Sequence, residues 1–136
     1  MTTDIVKEVT LTAPIQRVWA ALTDAQSMQN WLGPDKQLKV DLKVGGKYAI
    51  FGGETTGTFT QIDAPILLEY TWRQSTWPAE WPDSVVRWEM ESNGSGTQIY
   101  LSHSKFPNTD ERDSHDEGWE LYFLEPMTDY LDGGEE

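Results

Sequence analysis

The chain has 136 residues, no cysteine and a net charge of −13. Its length suits a single domain over residues 1–136 with one hydrophobic core, and we expect the acidic end, about residues 132–136, to fray. The absence of cysteine excludes disulfides and thiol catalysis.

The acidic balance argues against nucleic-acid and membrane-surface binding, because both need clustered Lys and Arg. We expect the charge mainly to keep the protein soluble, with a basic partner or a cationic ligand as the alternative. No apolar run reaches the ~18 residues of a membrane span, and no signal-peptide pattern opens the sequence. A cytoplasmic location is the resulting expectation.

The first third is predicted to be a strand followed by two helices. Residues 4–12 mix β-branched and charged residues, which indicates a strand. Pro14 suits the first turn of the helix that follows. Asp24 is expected to cap a second, short helix that runs to Trp31, with Met28 and Trp31 on its buried side.

The middle of the chain is predicted to be an antiparallel meander of short strands. The strands are expected near 37–43, 46–52, 56–63, 66–73, 84–92 and 97–105, separated by Gly-, Pro- and Asn-rich turns. Phe59 and Ile62 are both apolar but have opposite phase, so we expect a β-bulge between them.

The last part is predicted to be a long helix. Asn108 offers its cap, and Trp119, Phe123, Met127 and Leu131 form a continuous apolar stripe. Pro126 should kink this helix or shift its register. Because a curved sheet needs its apolar face covered, the long helix is the natural cover, which predicts an α+β domain.

Several local patterns together resemble the START-like, or SRPBCC, superfamily. They are Ala13-Pro14, Val18-Trp19, Thr23-Asp24, Trp31-Leu32-Gly33-Pro34, Gly45-Gly46 and Gly118-Trp119. The greatest similarity is to the family of the C-terminal domain of the activator of the 90-kDa heat-shock protein ATPase, and it covers nearly the whole chain. The resemblance implies a helix-grip (START/Bet v 1-like) fold: a strand, two helices, six antiparallel strands and a long C-terminal helix packed across the curved sheet. Such folds enclose a cavity between sheet and helix, but the superfamily hosts many functions.

Strand alternation predicts an unusually aromatic inner face. The candidate cavity residues are Trp31, Tyr48, Phe59, Tyr70, Trp72, Trp88, Met90, His103, Trp119 and Phe123. They could line a pocket for an apolar or aromatic ligand, or they could simply fill the core.

His103 is the polar exception on this face. It could orient a ligand or carry a proton. Alternatively, it is a buried histidine that hydrogen-bonds to backbone or to Tyr70, Tyr100 or Tyr122. The resembled family often has a His-Ser pair on this strand, matched here by His103-Ser104.

The stretch from Trp77 to Trp81 puts two tryptophans into a Pro-containing connection between strands. They could form a surface for a protein partner or a lid over a pocket. The alternative is that both rings fold back over the end of the sheet.

No known catalytic, metal or phosphate-binding motif occurs, so no catalytic residue, metal site or cofactor is predicted. Three functions remain: binding of a small apolar or aromatic ligand, a chaperone-linked or stress-response interaction module, and, ranked last, an enzyme of the cyclase or hydrolase kind that uses His103. Neither the ligand nor the protein partner is named by the sequence, and the chain could be a monomer or a homodimer.

Overall fold

The structure is a computed structural model that describes residues 3–33 and 37–132. Within these ranges seven strands form one sheet, in the order β1-β7-β6-β5-β4-β3-β2, with every neighbouring pair antiparallel. The strands are β1 Ile5–Leu11, β2 Lys39–Val40, β3 Lys47–Ile50, β4 Thr55–Asp63, β5 Leu67–Gln74, β6 Ser84–Asn93 and β7 Gly96–Ser104.

The predicted meander is confirmed, with one strand much shorter than expected. The pairing of β4 with β5 shifts register between Phe59 and Gln61, which confirms the predicted bulge. β2 has only two residues, where 37–43 was predicted. The difference arises because the chain already turns after β2: the Gly46 N–H donates to the Lys43 carbonyl at 2.8 Å.

Two short helices follow β1, as predicted. They are α1, Ile15–Thr23, and α2, Ala25–Leu32. The Asp24 carboxylate accepts a hydrogen bond from the Ser27 N–H at 3.0 Å, so it caps α2. Met28 and Trp31 are buried, and the Trp31 indole N–H donates to the Ala21 carbonyl in α1 at 2.9 Å. This bond fixes α2 against α1.

The C-terminal helix consists of α3, Thr109–Gly118, a π-helical segment, Trp119–Leu124, and α4, Glu125–Asp132. Asn108 caps it, accepting from the Glu111 N–H at 2.9 Å. In the π-helical segment the Glu125 N–H bonds to the Glu120 carbonyl, five residues back. Pro126 follows immediately; it has no N–H and its ring would collide with a regular α-helical turn. The predicted shift of register is therefore confirmed.

The core lies between the inner face of the sheet and the C-terminal helix. Trp119, Phe123, Met127 and Leu131 of that helix are all buried, as their stripe predicts. The α+β helix-grip architecture is thereby confirmed: strand, two helices, six strands and a long covering helix. Among residues 3–33 and 37–132, no helix has the length and apolarity that crossing a bilayer requires. Of the tail expected to fray, residues 133–136 lie outside the described residues.

Candidate functional site

The space under the middle of the C-terminal helix is filled by aromatic side chains. Trp88 and His103 have 0% exposure. The Trp88 indole N–H donates to the Tyr70 hydroxyl at 3.0 Å, and its ring meets Trp119 edge-on with centroids 5.7 Å apart. Tyr48 and Tyr70 also pack edge-on, at 4.9 Å. Such offset contacts pack these rings closely against one another.

The open space lies at one end of this filled core. A cavity of about 590 Å³, which we call the mouth cavity, opens between the start of the C-terminal helix and the ends of β4 and β5. Its lining residues are Phe51, Gly52, Glu54, Thr55, Trp72, Gln74, Ser114, His115, Gly118, Trp119, Tyr122 and Phe123.

The mouth cavity contains three of the ten residues that the sequence proposed for a pocket: Trp72, Trp119 and Phe123. The other seven do not line the mouth cavity, and their assignment to a ligand pocket stays a prediction. They are Trp31, Tyr48, Phe59, Tyr70, Trp88, Met90 and His103, all buried in the core and none in the lining of the mouth cavity. The physical reason is that strand alternation identifies the inward face but not which inward side chains meet one another.

His103 is held by two hydrogen bonds inside the core. Its Nε2 lies 2.7 Å from the Ser84 hydroxyl oxygen, and the same hydroxyl is 2.9 Å from the Trp72 carbonyl, to which it donates. The Trp119 indole N–H donates to His103 Nδ1 at 3.0 Å. With its Nδ1 accepting, the neutral ring carries its proton on Nε2 and donates it to Ser84.

In the structure His103 is a buried, hydrogen-bonded histidine, which is the second of the two alternatives, with partners other than those named for it. Its side-chain partners are Ser84 and Trp119, and not Tyr70, Tyr100 or Tyr122. Burial, with a smaller contribution from nearby His115, lowers the pKa of His103 well below its usual value, so the ring stays neutral. A proton carrier must touch its substrate, and a ring with 0% exposure does not.

His115 is the histidine that reaches the mouth cavity. Its Nδ1–H donates to the Glu111 carbonyl at 2.7 Å, and its Nε2 accepts from the Trp72 indole N–H at 3.0 Å. Burial lowers the pKa of His115, and this effect outweighs the rise caused by the hydrogen bond to the Glu111 backbone and by the Glu111 charge. This position of His115 was not predicted, because the residue lies in an acidic run that is typical of a solvated helix start. Its spacing of i and i+4 from Glu111 was the only local signal.

Polar groups at the mouth are few and mostly engaged. The Thr55 hydroxyl donates to Gln74 Oε1 at 2.6 Å. Among the described residues the Gln74 amide nitrogen has no hydrogen-bond partner, so its two N–H groups can donate to a ligand. Glu54 is exposed at the rim. Within residues 3–33 and 37–132, no three His, Asp or Glu side chains are grouped so that they could hold a metal ion.

The loop between β5 and β6 folds back toward the mouth. Trp77 is buried, and its indole N–H donates to Glu111 Oε1 in α3 at 2.9 Å. Trp81 is half-buried, with its ring centroid 6.1 Å from that of Trp77. Trp77 therefore lacks the exposure that a partner surface requires. Its ring instead folds back over the end of the sheet, as the alternative had it.

A second hollow, of about 570 Å³, lies around the outer face of the sheet. We call it the outer groove; Lys39, Lys47 and Arg73 line it together with Asp41 and Asp83. Beside it, in the turn between β2 and β3, Leu42 and Val44 are 42% and 65% exposed. The outer groove thus joins cationic and apolar surface in a chain whose net charge is −13.

Known proteins resemble the chain in sequence and in fold. The murine "Activator of 90 kDa heat shock protein ATPase homolog 1" is 25% identical over 119 residues, which are 88% of this chain and 34% of that protein. The chain thus spans about a third of that relative's length. A crystal structure described as an Hsp90 activator from Plasmodium falciparum is 27% identical with a TM-score of 0.81, covering 90% of this chain and 91% of that one.

A solution structure of an Aha1 dimer from Colwellia psychrerythraea has a TM-score of 0.80 at 18% identity, covering 99% of this chain and 100% of that one, which shows the shared fold alone. The sequence model described as "Activator of Hsp90 ATPase homolog 1-like protein" matches residues 12–132. The chain therefore belongs to the family of Activator of Hsp90 ATPase homolog 1-like proteins.

Proposed function

We propose that the protein binds a small apolar or aromatic molecule in the mouth cavity. The observation that supports this is the cavity itself, about 590 Å³ in volume and walled by aromatic rings. Its volume lies in the usual range of ligand sites, roughly 300–1,000 Å³. Mostly apolar walls with a few placed polar groups are also typical of such sites.

The polar groups give a bound molecule a preferred orientation. The Gln74 amide would donate to an oxygen or nitrogen acceptor, while the rings of Trp72, Trp119 and Phe123 would cover the apolar body. Tyr122, 63% exposed at the rim, would close over a ligand by a change of side-chain rotamer alone. Closure of the cavity by Tyr122 therefore needs no movement of the backbone.

The experiment uses Gly118, which lines the cavity from the C-terminal helix. A Cβ placed there would meet only the Tyr122 Cδ2 atom, at 3.8 Å, so larger side chains fit the backbone. Gly118→Leu should fill the cavity, and Gly118→Ala is the matched control that leaves it open. The probe is N-phenyl-1-naphthylamine, a neutral apolar fluorophore. In addition, native mass spectrometry of freshly purified protein shows whether a bound molecule raises the mass above the 15.5 kDa of the chain.

We expect the fluorophore to bind to the wild-type protein and to Gly118→Ala, and to lose at least about tenfold in affinity for Gly118→Leu, since filling the cavity removes its apolar contacts. Equal affinity for all three proteins would mean that the probe binds elsewhere. Absence of binding to the wild-type protein, together with a mass of the bare chain, would refute the proposal.

A second candidate function is a chaperone-linked, stress-response interaction module. The murine relative is named as an activator of the 90-kDa heat-shock protein ATPase and the Plasmodium falciparum structure as an Hsp90 activator. The outer groove supplies cationic and apolar surface for an acidic partner. The test is the ATPase rate of Hsp90 with this protein and with Lys39→Glu/Lys47→Glu. Stimulation by the wild type that the double variant loses would support this candidate, with Lys105→Glu, exposed and outside the groove, as the control. No stimulation by any of the three would refute it.

A further inference from the structure

The mouth cavity has an unusual balance of charge. Among the lining residues that the structure describes there is no Lys or Arg, and Glu54 is the one carboxylate. His115 adds no positive charge, because its two ring nitrogens are engaged as donor and acceptor and burial disfavours the ionised ring. Among these described residues a bound anion would therefore face a carboxylate and no cation.

The aromatic walls offer π-electron faces and no free indole donor. The indole N–H of Trp72 is taken by His115, and that of Trp119 by His103. With both donors occupied, these two side chains can attract a ligand only through their rings. Tryptophan gives the strongest cation–π attraction of the aromatic side chains, and Phe51, Phe123 and Tyr122 add three further rings to the same walls.

The surroundings of the mouth strengthen the preference. The α3 helix, which forms one side of it, carries five carboxylates, at Asp110, Glu111, Asp113, Asp116 and Glu117, against the single guanidinium of Arg112. Arg112 pairs with Asp113 at 3.3 Å and with Asp116 at 3.6 Å, and Lys7 of β1 also pairs with Asp116, at 2.8 Å, so both cations are already engaged. In a chain of net charge −13, this negative field attracts cations toward the opening.

We propose that the mouth cavity binds an organic cation: a quaternary or alkylated ammonium group on an apolar or aromatic body. The ammonium group lies against the aromatic walls near Glu54, and the apolar body fills the rest of the cavity. This inference rests on the proposed function, because it names the charge class of the ligand for the same cavity.

The test compares two molecules of equal shape and different charge. Benzyltrimethylammonium is a cation, and neopentylbenzene is its neutral carbon isostere. Their dissociation constants for the full chain are measured by isothermal titration calorimetry and by competition with N-phenyl-1-naphthylamine. Glu54→Gln removes the carboxylate at the cavity, and Glu80→Gln removes an exposed carboxylate in the loop that carries Trp77, outside the cavity lining.

We expect the cation to bind about tenfold more tightly than its neutral isostere, the ratio that a partly desolvated cation–π contact provides. Glu54→Gln should weaken only the cation, by about threefold to tenfold, and Glu80→Gln should change neither affinity. Binding of the isostere as tightly as the cation would overturn this inference and leave the proposed function standing. Failure of the cation to bind while the fluorophore binds would do the same. Failure of all three molecules would refute both proposals.

Discussion

Replacing Ser84 by alanine tests the buried hydrogen-bond chain under the C-terminal helix. Ser84 has 0% exposure, and its hydroxyl is the partner of two buried groups: it accepts from His103 Nε2–H and donates to the Trp72 carbonyl. The substitution removes one oxygen atom and both bonds. His103 cannot escape by changing tautomer, because its Nδ1 must remain the acceptor for Trp119.

The expected loss follows from the groups left without partners. One unsatisfied buried donor or acceptor costs about 1–3 kcal/mol, so Ser84→Ala should lower the free energy of unfolding by about 2 kcal/mol or more. At the urea dependence usual for a domain of this size, this corresponds to a decrease of about 1 M in the midpoint. The assay is urea unfolding followed by far-UV circular dichroism, which reports mainly on the backbone.

Ser92→Ala, at an exposed position of the same strand, is the matched control and should change stability by no more than about 0.5 kcal/mol. A double variant, Ser84→Ala/His103→Leu, should be less destabilised than the sum of its single variants, because removing both partners leaves fewer orphaned groups. Equal midpoints for Ser84→Ala and Ser92→Ala would refute the reasoning, since the hydroxyl would then carry no net stabilisation.

Three further predictions concern pH, two glycines and a helix cap. Burial lowers the pKa of both His103 and His115, so below about pH 6.5 the unfolded chain binds more protons than the folded one. The free energy of unfolding should therefore fall between about pH 7.5 and pH 5.5, and urea titrations that give one constant value across this window would contradict it. Gly57→Ala would place a Cβ 1.9 Å from a carbonyl oxygen of β5 and should lower the thermal midpoint sharply, whereas Gly118→Ala, in open helix, should raise stability by about 0.5–1 kcal/mol. A Gly57→Ala protein as stable as wild type would show that the strands can separate at no cost. Asp24→Ala removes the cap of α2 and should cost about 1 kcal/mol in the same urea assay, with the exposed Gln26→Ala as the reference.

The elements of the fold were predictable because their signals are local. Asp24 and Asn108 precede helices and cap them. Phe59 and Ile62 indicated the bulge, because both are apolar although regular strand alternation would put them on opposite faces. Each of these features depends on neighbours within a few residues. The aromatic stripe from Trp119 to Leu131 likewise needs only helical periodicity to be recognised.

The candidate site was less predictable because its contacts join distant parts of the chain. Trp72 and His115 are 43 residues apart, and Trp77 and Glu111 are 34 residues apart. Periodicity marked Trp72 as inward, but whether an inward ring fills space or borders it depends on the partners it meets. The sequence therefore identified the aromatic inner face but left open which of its side chains border open volume; in the structure His115, and not His103, lines the mouth cavity.

The π-helical segment divides the long C-terminal helix into two parts with separate angular phase. A π-turn contains one residue more than an α-turn, so the faces of α3 and α4 are offset from those of an uninterrupted α-helix. The upstream part presents His115 and Gly118 to the mouth cavity, while Met127 and Leu131 downstream stay in the core. Inserting or deleting a single residue within 120–122 would therefore rotate α3 relative to α4 about the helix axis. Such a change would redirect the wall of the mouth cavity while Met127 and Leu131 still close the core.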